Sequence, residues 1–154
     1  MSNRPRSVRR LIGRLLLILI AVGVIGFVLI QFIPVDQTNP PVASEPAWTS
    51  PQAEEIAVQA CYDCHSNETV WPWYSQIAPA SWLVVRDVRS GRRHLNFSNW
   101  DNMRGEAREG EEMAEVIYEG EMPPAYYLIM HPEARLTDAE KRELVSGLQA
   151  LSSR

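Results

Sequence analysis

Residues 59–73 read QACYDCHSNETVWPW and hold the only two cysteines of a 154-residue chain, Cys61 and Cys64, with His65 directly behind the second. Three ordinary uses of such a pair fit poorly. A disulfide between them would close a loop too short to restrain much of the unfolded chain. A thioredoxin-like redox pair belongs in a βαβ setting, and no alternating strand pattern occurs along this chain. A zinc site would need two further ligands, available only from His94, His131 or carboxylates, and the second paired motif that marks such sites is missing.

Cys-x-x-Cys-His is also the spacing by which two thiols add to the vinyl groups of one haem while the adjacent imidazole binds its iron. The thiols must reach opposite sides of one porphyrin edge, and the next side chain must turn under the ring. Cys61, Cys64 and His65 meet that requirement without adjustment. The flanking pattern is helical. Thr49 or Ser50 caps a helix with Pro51 in its first turn, running through AEEIAVQAC so that Ile56 and Ala60 share a face and Cys61 arrives at the end. A second helix is predicted across ASWLVVRDVRS, closed by Gly91, with Trp82, Val85 and Val88 on one side. A third covers about 109–119, with Met113, Val116 and Ile117 inward and Gly120 as its stop. The last begins at Thr137, where TDAE is a capping box, and carries the stripe Leu144, Leu148 and Leu151. The loops hold Trp71, Trp73, Tyr74, Phe97, Trp100, Tyr126 and Tyr127. Short helices with aromatic loops predict a small all-α domain organised around something that is not protein, and the CxxCH spacing makes that one covalent haem.

The chain before this domain has a different character. Its first fourteen residues carry Arg4, Arg6, Arg9, Arg10 and Arg14 and no acid, which leaves ten basic against nineteen acidic residues, a net −9, for the rest. Residues 15–33 are apolar except for Gln31. At about 1.5 Å per residue they span roughly 28 Å, close to the hydrocarbon thickness of a bilayer. A cleaved signal peptide has a similar start, but its apolar run is shorter, and Pro34-Val35-Asp36 is a poor cleavage site. An uncleaved anchor is therefore expected. The arginines place residues 1–14 in the cytoplasm and everything beyond the anchor outside it, a single-pass arrangement. Thiols on that side are normally oxidised, metal-bound or otherwise consumed. Residues 34–48, with Pro34, Pro40, Pro41 and Pro46, read as an extended spacer, of which Asp36 to Trp48 reach up to about 40 Å, and residues 49–154 as the haem-binding, periplasmic domain. The negative charge excludes nucleic acid as a partner. Seven glutamates between 106 and 121 read as a solvated helix face or as a docking patch for a basic redox protein.

A short helix into CxxCH, a later proline, Met-Pro and a final capped helix form the order found in small class I cytochromes c. The segments CYDCHSNET, YSQIAPASW, GRRHLNFSNW and EMPPAYYLIMHPEARLT resemble the small bacterial haem-binding domain family over about residues 50–150. The resemblance implies a monohaem c-type fold outside the cytoplasm and no defined reaction; anchor and spacer lie outside it. Met122, 57 residues past His65, stands where class I cytochromes c place their distal methionine, and Pro123 and Pro124 preset its backbone. His131 and His94 are the alternative sixth ligands, whereas Met103, Met113 and Met130 are read as packing residues. Pro79 resembles the proline whose carbonyl accepts the second ring N–H of the proximal histidine. Arg92, Arg93 and Trp100 are candidates to pair with haem propionates. The expected activity is single-electron transfer rather than catalysis; the alternative is a haem with an open sixth site that turns over peroxide or senses a diatomic gas, for which Arg92, Arg93 and His94 offer the needed residue types.

Overall fold

Ser50 caps the first helix after the proline-rich stretch, as expected. In a computed structural model describing residues 6–103 and 110–152, its side chain accepts the amide of Ala53 at 3.2 Å, with Pro51 at the first helical position of α2 (Pro51–Ala60). The terminal helix α8 (Asp138–Ser152) is capped reciprocally. The Thr137 amide donates to Glu140 at 2.7 Å, and the Glu140 amide donates back to the Thr137 hydroxyl at 3.3 Å. These two helices pack most closely where Gly147 meets α2. A Cβ at Gly147 would lie 2.5 Å from that of Ala53, so only glycine allows this backbone approach.

Ile56 and Ala57 of α2, with Leu144, Val145, Leu148 and Leu151 of α8, form one side of the core. Ile117 of α6 (Gly110–Tyr118) completes it, and Gly120, at φ +76°, stops α6 in the left-handed conformation. Met113 and Val116 pack against the same cluster. Of the seven glutamates, Glu112, Glu115, Glu119 and Glu121 are exposed, while 106 and 109 lie outside the described residues. An aromatic stack closes the core beneath the cysteines: Tyr62 on Phe97 at 5.0 Å and Phe97 on Trp100 at 6.1 Å. Short helices α3 (Tyr62–His65), α5 (Trp100–Met103) and α7 (Tyr127–Met130) connect these pieces, and among the described residues the only β feature is an isolated bridge between Ser44 and Asn99. The fold is all-α, as the sequence predicts.

Three boundaries differ from the sequence reading. Helix α1 (Arg6–Ile30) stops before Gln31 rather than at residue 33; its stretch Val8–Ile30 is long and apolar enough to cross a membrane, and none of it is buried against the domain. Helix α4 (Ala80–His94) runs through Gly91 and ends only where Leu95 turns extended. Its buried stripe is Ser81, Val85, Val88 and Gly91, a helical repeat that continues past the glycine, and Trp82 turns outward. Residues 34–48 are extended but lie along the domain as a strap. Asn39 donates to the Thr69 carbonyl at 3.0 Å, the Ala43 amide to the Ser98 carbonyl at 2.8 Å and Asn67 to the Pro41 carbonyl at 3.0 Å. Proline content predicts an extended backbone correctly, but it carries no information about which groups will bond to it.

Candidate haem site

Cys61 ends α2, its amide bonded to the Ala57 carbonyl at 2.8 Å, and the chain makes one further turn as α3. Within that turn the amides of Cys64 and His65 both reach the Cys61 carbonyl, at 3.1 and 2.9 Å. Cys61 caps this turn and Cys64 lies three residues on, a spacing that favours one face for both side chains, with His65 directly after them. Both thiols are free and partly buried. Burial pushes each of them up to about 12, with the neighbouring Cys64 thiol adding to the effect at Cys61 and the Asp63 carboxylate adding at Cys64. In this setting they are neutral groups and not thiolates poised for exchange.

The imidazole is oriented by backbone. His65 Nδ1 lies 3.0 Å from the Leu95 carbonyl oxygen, which can only accept, so the proton sits on Nδ1 and the lone pair on Nε2. Burial is the main cause holding this imidazole below its ordinary pKa, which keeps it neutral and available as a metal ligand. The Phe97 amide bonds back to the His65 carbonyl at 2.8 Å, so the 95–97 segment grips both ends of the residue. Helix α4 meets the same turn at Gly91, where a Cβ would lie 2.4 Å from the Cys64 carbonyl oxygen.

The loop after His65 is polar yet buried, and its groups are paired. Ser66 donates to the Tyr62 carbonyl at 2.8 Å, Thr69 to the Asp63 carbonyl at 2.7 Å, and the Val70 amide donates to the Asp63 carboxylate at 3.0 Å. Arg92 reaches the Ser66 carbonyl, the Thr38 carbonyl, Asn39 Oδ1 and Thr69 Oγ1 at 2.7–3.0 Å, tying strap to loop. Trp71 is different: its buried indole N–H has no acceptor, a state it shares with Trp48 beside the core. A buried donor left unpaired costs about 1–3 kcal/mol, and a carboxylate of a bound group would satisfy it.

Other residues singled out in the sequence are placed as follows. Pro79 precedes α4 and its carbonyl accepts the Trp82 amide at 3.1 Å; the acceptor for His65 is Leu95, not Pro79. Trp100 is 5% exposed in the aromatic stack behind the cysteine turn. Arg92 is engaged as described, and Arg93 is exposed on α4. Met122 follows α6 with its amide held by the Val116 carbonyl at 3.1 Å; its side chain is 41% exposed, and no hydrogen bond or ring contact links it to residues 61–65. His94 bonds through Nδ1 to the Ser90 carbonyl at 2.8 Å on the exposed end of α4. His131 has both nitrogens committed, Nε2 to Tyr74 at 2.7 Å and Nδ1 to Glu133 at 3.1 Å, and stacks on Tyr127 at 4.2 Å. Tyr127 donates to Asp63 between the cysteines and Tyr126 to Asp87, each at 2.9 Å, so both tyrosines pack the 121–131 loop onto the site. Sequence reasoning missed Leu95, which acts through its carbonyl and leaves no side-chain signal, and Gly91, whose role depends on a tertiary contact.

A family model described as "Haem-binding domain" matches residues 25–150. The chain belongs to the haem-binding domain family. The match takes in the end of α1 and the whole strap, beyond the 50–150 range suggested by the motifs, in keeping with the strap's bonds to the domain. No curated protein and no solved structure matches the chain. The residues of this haem-binding domain fit the group: a neutral imidazole whose Nδ1 is held by a backbone carbonyl, two cysteines on one turn, an unpaired buried indole N–H, and among the described residues no cluster of three or more His, Cys, Asp or Glu that would hold a bare metal ion instead.

Proposed function

We propose that this haem-binding domain protein is a membrane-anchored monohaem c-type cytochrome that passes single electrons outside the cytoplasm. The observation that carries the reading is the turn at residues 61–65, which carries two cysteines and an imidazole whose Nδ1–H is held by the Leu95 carbonyl. That arrangement suits thioether bonds at Cys61 and Cys64 and axial ligation by His65. A bound haem supplies one-electron iron chemistry. The chain's own part is to orient the imidazole, raise its basicity through the Leu95 bond, and exclude water with Tyr62, Phe97 and Trp100. Anchoring is supported by α1, and the arginine excess before it favours a cytoplasmic N-terminus with the domain in the periplasm of a bacterial inner membrane. The net −9 of the exported part and the exposed glutamates of α6 favour a basic redox protein as partner.

Met122 is the proposed sixth ligand, held in a loop by Pro123 and Pro124. Pro79 and Trp100 are proposed to pack near the haem without bonding to its iron. A second reading, an open sixth site that turns over peroxide or binds a diatomic gas, is favoured by the exposure of Met122 and by the engagement of His131 in other bonds.

The test is the absorption spectrum of the purified full chain, matured with a c-type haem attachment system and reduced, with and without carbon monoxide. Haem that stays with the chain on a denaturing gel, and is lost in a Cys61→Ser/Cys64→Ser protein, would support covalent attachment; haem released by denaturation would reject it. A low-spin spectrum unmoved by carbon monoxide supports an electron carrier, and Met122→Ala should then lower the potential and admit carbon monoxide. Complete carbon monoxide binding by the unaltered protein would favour the open site.

A further inference from the structure

Helix α4 carries more than the buried stripe that supports the cysteine turn. On its outer side a groove of about 290 Å³ is lined by Val35, Trp82, Val85, Arg86, Arg89 and Arg93. Positions 82, 86, 89 and 93 follow the helical repeat, so three guanidinium groups and one indole share a face in a part of the chain that is otherwise strongly acidic. Their nearby acids are Asp87, 3.0 Å from Arg86, and Asp36, 3.3 Å from Arg89. Three cations less two anions leave the groove one positive charge. The lining is also partly apolar, and Ile77, Trp82 and Leu83 at the start of α4 are 36–41% exposed.

The position of this face relative to α1 gives it meaning. Gln31, the first residue past the apolar helix, accepts the Ala78 amide at 2.9 Å and donates to the Ala78 carbonyl at 3.2 Å, two residues before α4 begins. Val35, which lines the groove, is four residues farther on, a reach of at most about 14 Å. The polar layer on each side of a bilayer is about 5–8 Å deep. If α1 spans the membrane, the start of α4 and the mouth of the groove therefore stand at the headgroups. This inference rests on the anchoring described under Proposed function.

We propose that the α4 groove seats the phosphodiester headgroup of an anionic phospholipid from the leaflet in which α1 ends. The single negative charge of a phosphodiester matches the single excess positive charge, and guanidinium groups suit its oxygens. Ile77, Trp82 and Leu83 occupy the interface, where aromatic and aliphatic side chains are favoured. A free small anion would leave this apolar rim in water; a lipid covers it. Seating the lipid holds the haem-binding domain in one orientation on the membrane, which restricts the partners it can meet to those at the same surface.

The experiment uses the full-length haem-loaded protein, delipidated in neutral detergent and titrated with phosphatidylglycerol or phosphatidylcholine, with bound lipid counted by native mass spectrometry. The expected result is one retained phosphatidylglycerol with at least tenfold preference over phosphatidylcholine, lost in R86Q/R89Q/R93Q and kept in R9Q/R10Q/R14Q, which alters only the basic residues at the other end of α1. The exposed single change R93E guards against misfolding of the triple variant and should weaken binding at least threefold. Quenching of tryptophan fluorescence by brominated phosphatidylglycerol should fall in W82F. Equal binding of the two lipids, or a preference removed only by R9Q/R10Q/R14Q, would overturn the inference. So would displacement of the lipid by millimolar inorganic phosphate at constant ionic strength, which would mean a small-anion site, or a preference that survives the α4 variants while an acidic peptide binds the same face. Release of the full chain from native membranes by alkaline carbonate would instead overturn the anchoring on which the inference rests.

Discussion

Replacing Gly91 with alanine would place a methyl group 2.4 Å from the Cys64 carbonyl oxygen, 2.9 Å from its carbon and 3.1 Å from its Cβ. Two of the three contacts are backbone atoms of the turn that carries the cysteines, so no side-chain rotation relieves them, and α3 must withdraw from α4 by most of an ångström. Overpacking of this kind costs about 1–3 kcal/mol, and contact with backbone places the change at the upper end. Alanine recovers about 1 kcal/mol of helix propensity relative to glycine. The net loss is about 2 kcal/mol, or roughly 4–10 °C in Tm for a domain of this size. Withdrawal of α3 also lengthens the bond from His65 Nδ1 to the Leu95 carbonyl, because Leu95 follows the end of α4. The assay is thermal unfolding of the full chain in detergent by near-ultraviolet circular dichroism, which reports the aromatic stack and not α1, together with the yield of attached haem. Ser90→Ala, at the adjacent position, is the reference and should melt near the unaltered protein. A Gly91→Ala protein that melts within 1 °C of this reference and attaches haem equally would refute the close packing of α4 on the cysteine turn.

Arg92→Met keeps the length of the side chain and removes the four hydrogen bonds between strap, loop and α4; a loss of about 2–4 kcal/mol is expected, and hydrogen exchange at residues 38–44 should rise at least tenfold. In haem-free protein, the raised pKa of about 12 at both cysteines means the neutral thiol persists across the working range. Alkylation at pH 8.5 should be at least 100-fold slower than in urea-unfolded chain and should still be climbing at pH 10, where the unfolded chain has levelled off; matching rates would contradict the burial. Thr137→Ala should cost about 1 kcal/mol by denaturant titration through loss of the capping box, and Thr137→Ser should restore it.

Much of this architecture is written in local patterns. Ser50 before Pro51, the TDAE box, Gly120 after α6 and the repeat of Leu144, Leu148 and Leu151 are short-range signals, and each acts within a turn or two of itself. The same holds for CYDCH, because two thiols and an imidazole on one turn need only the chain's own geometry to come together. Gly91 shows where local reasoning fails. Glycine usually closes a helix, but here the helix continues, because the position is needed for contact with residue 64 and a side chain would prevent it.

The helical class, an apolar helix near the N-terminus, the cysteine turn and membership in the haem-binding domain family can all be read from the order of the residues. Tertiary structure alone decided that Leu95 and not Pro79 holds His65, that His131 is committed to Tyr74 and Glu133, and that residues 34–48 form a strap and not a free spacer. The physical reason is that a backbone carbonyl is present at every residue and identical in all of them. Which carbonyl meets a given imidazole, amide or guanidinium depends on where distant segments come to rest, and no local pattern encodes that.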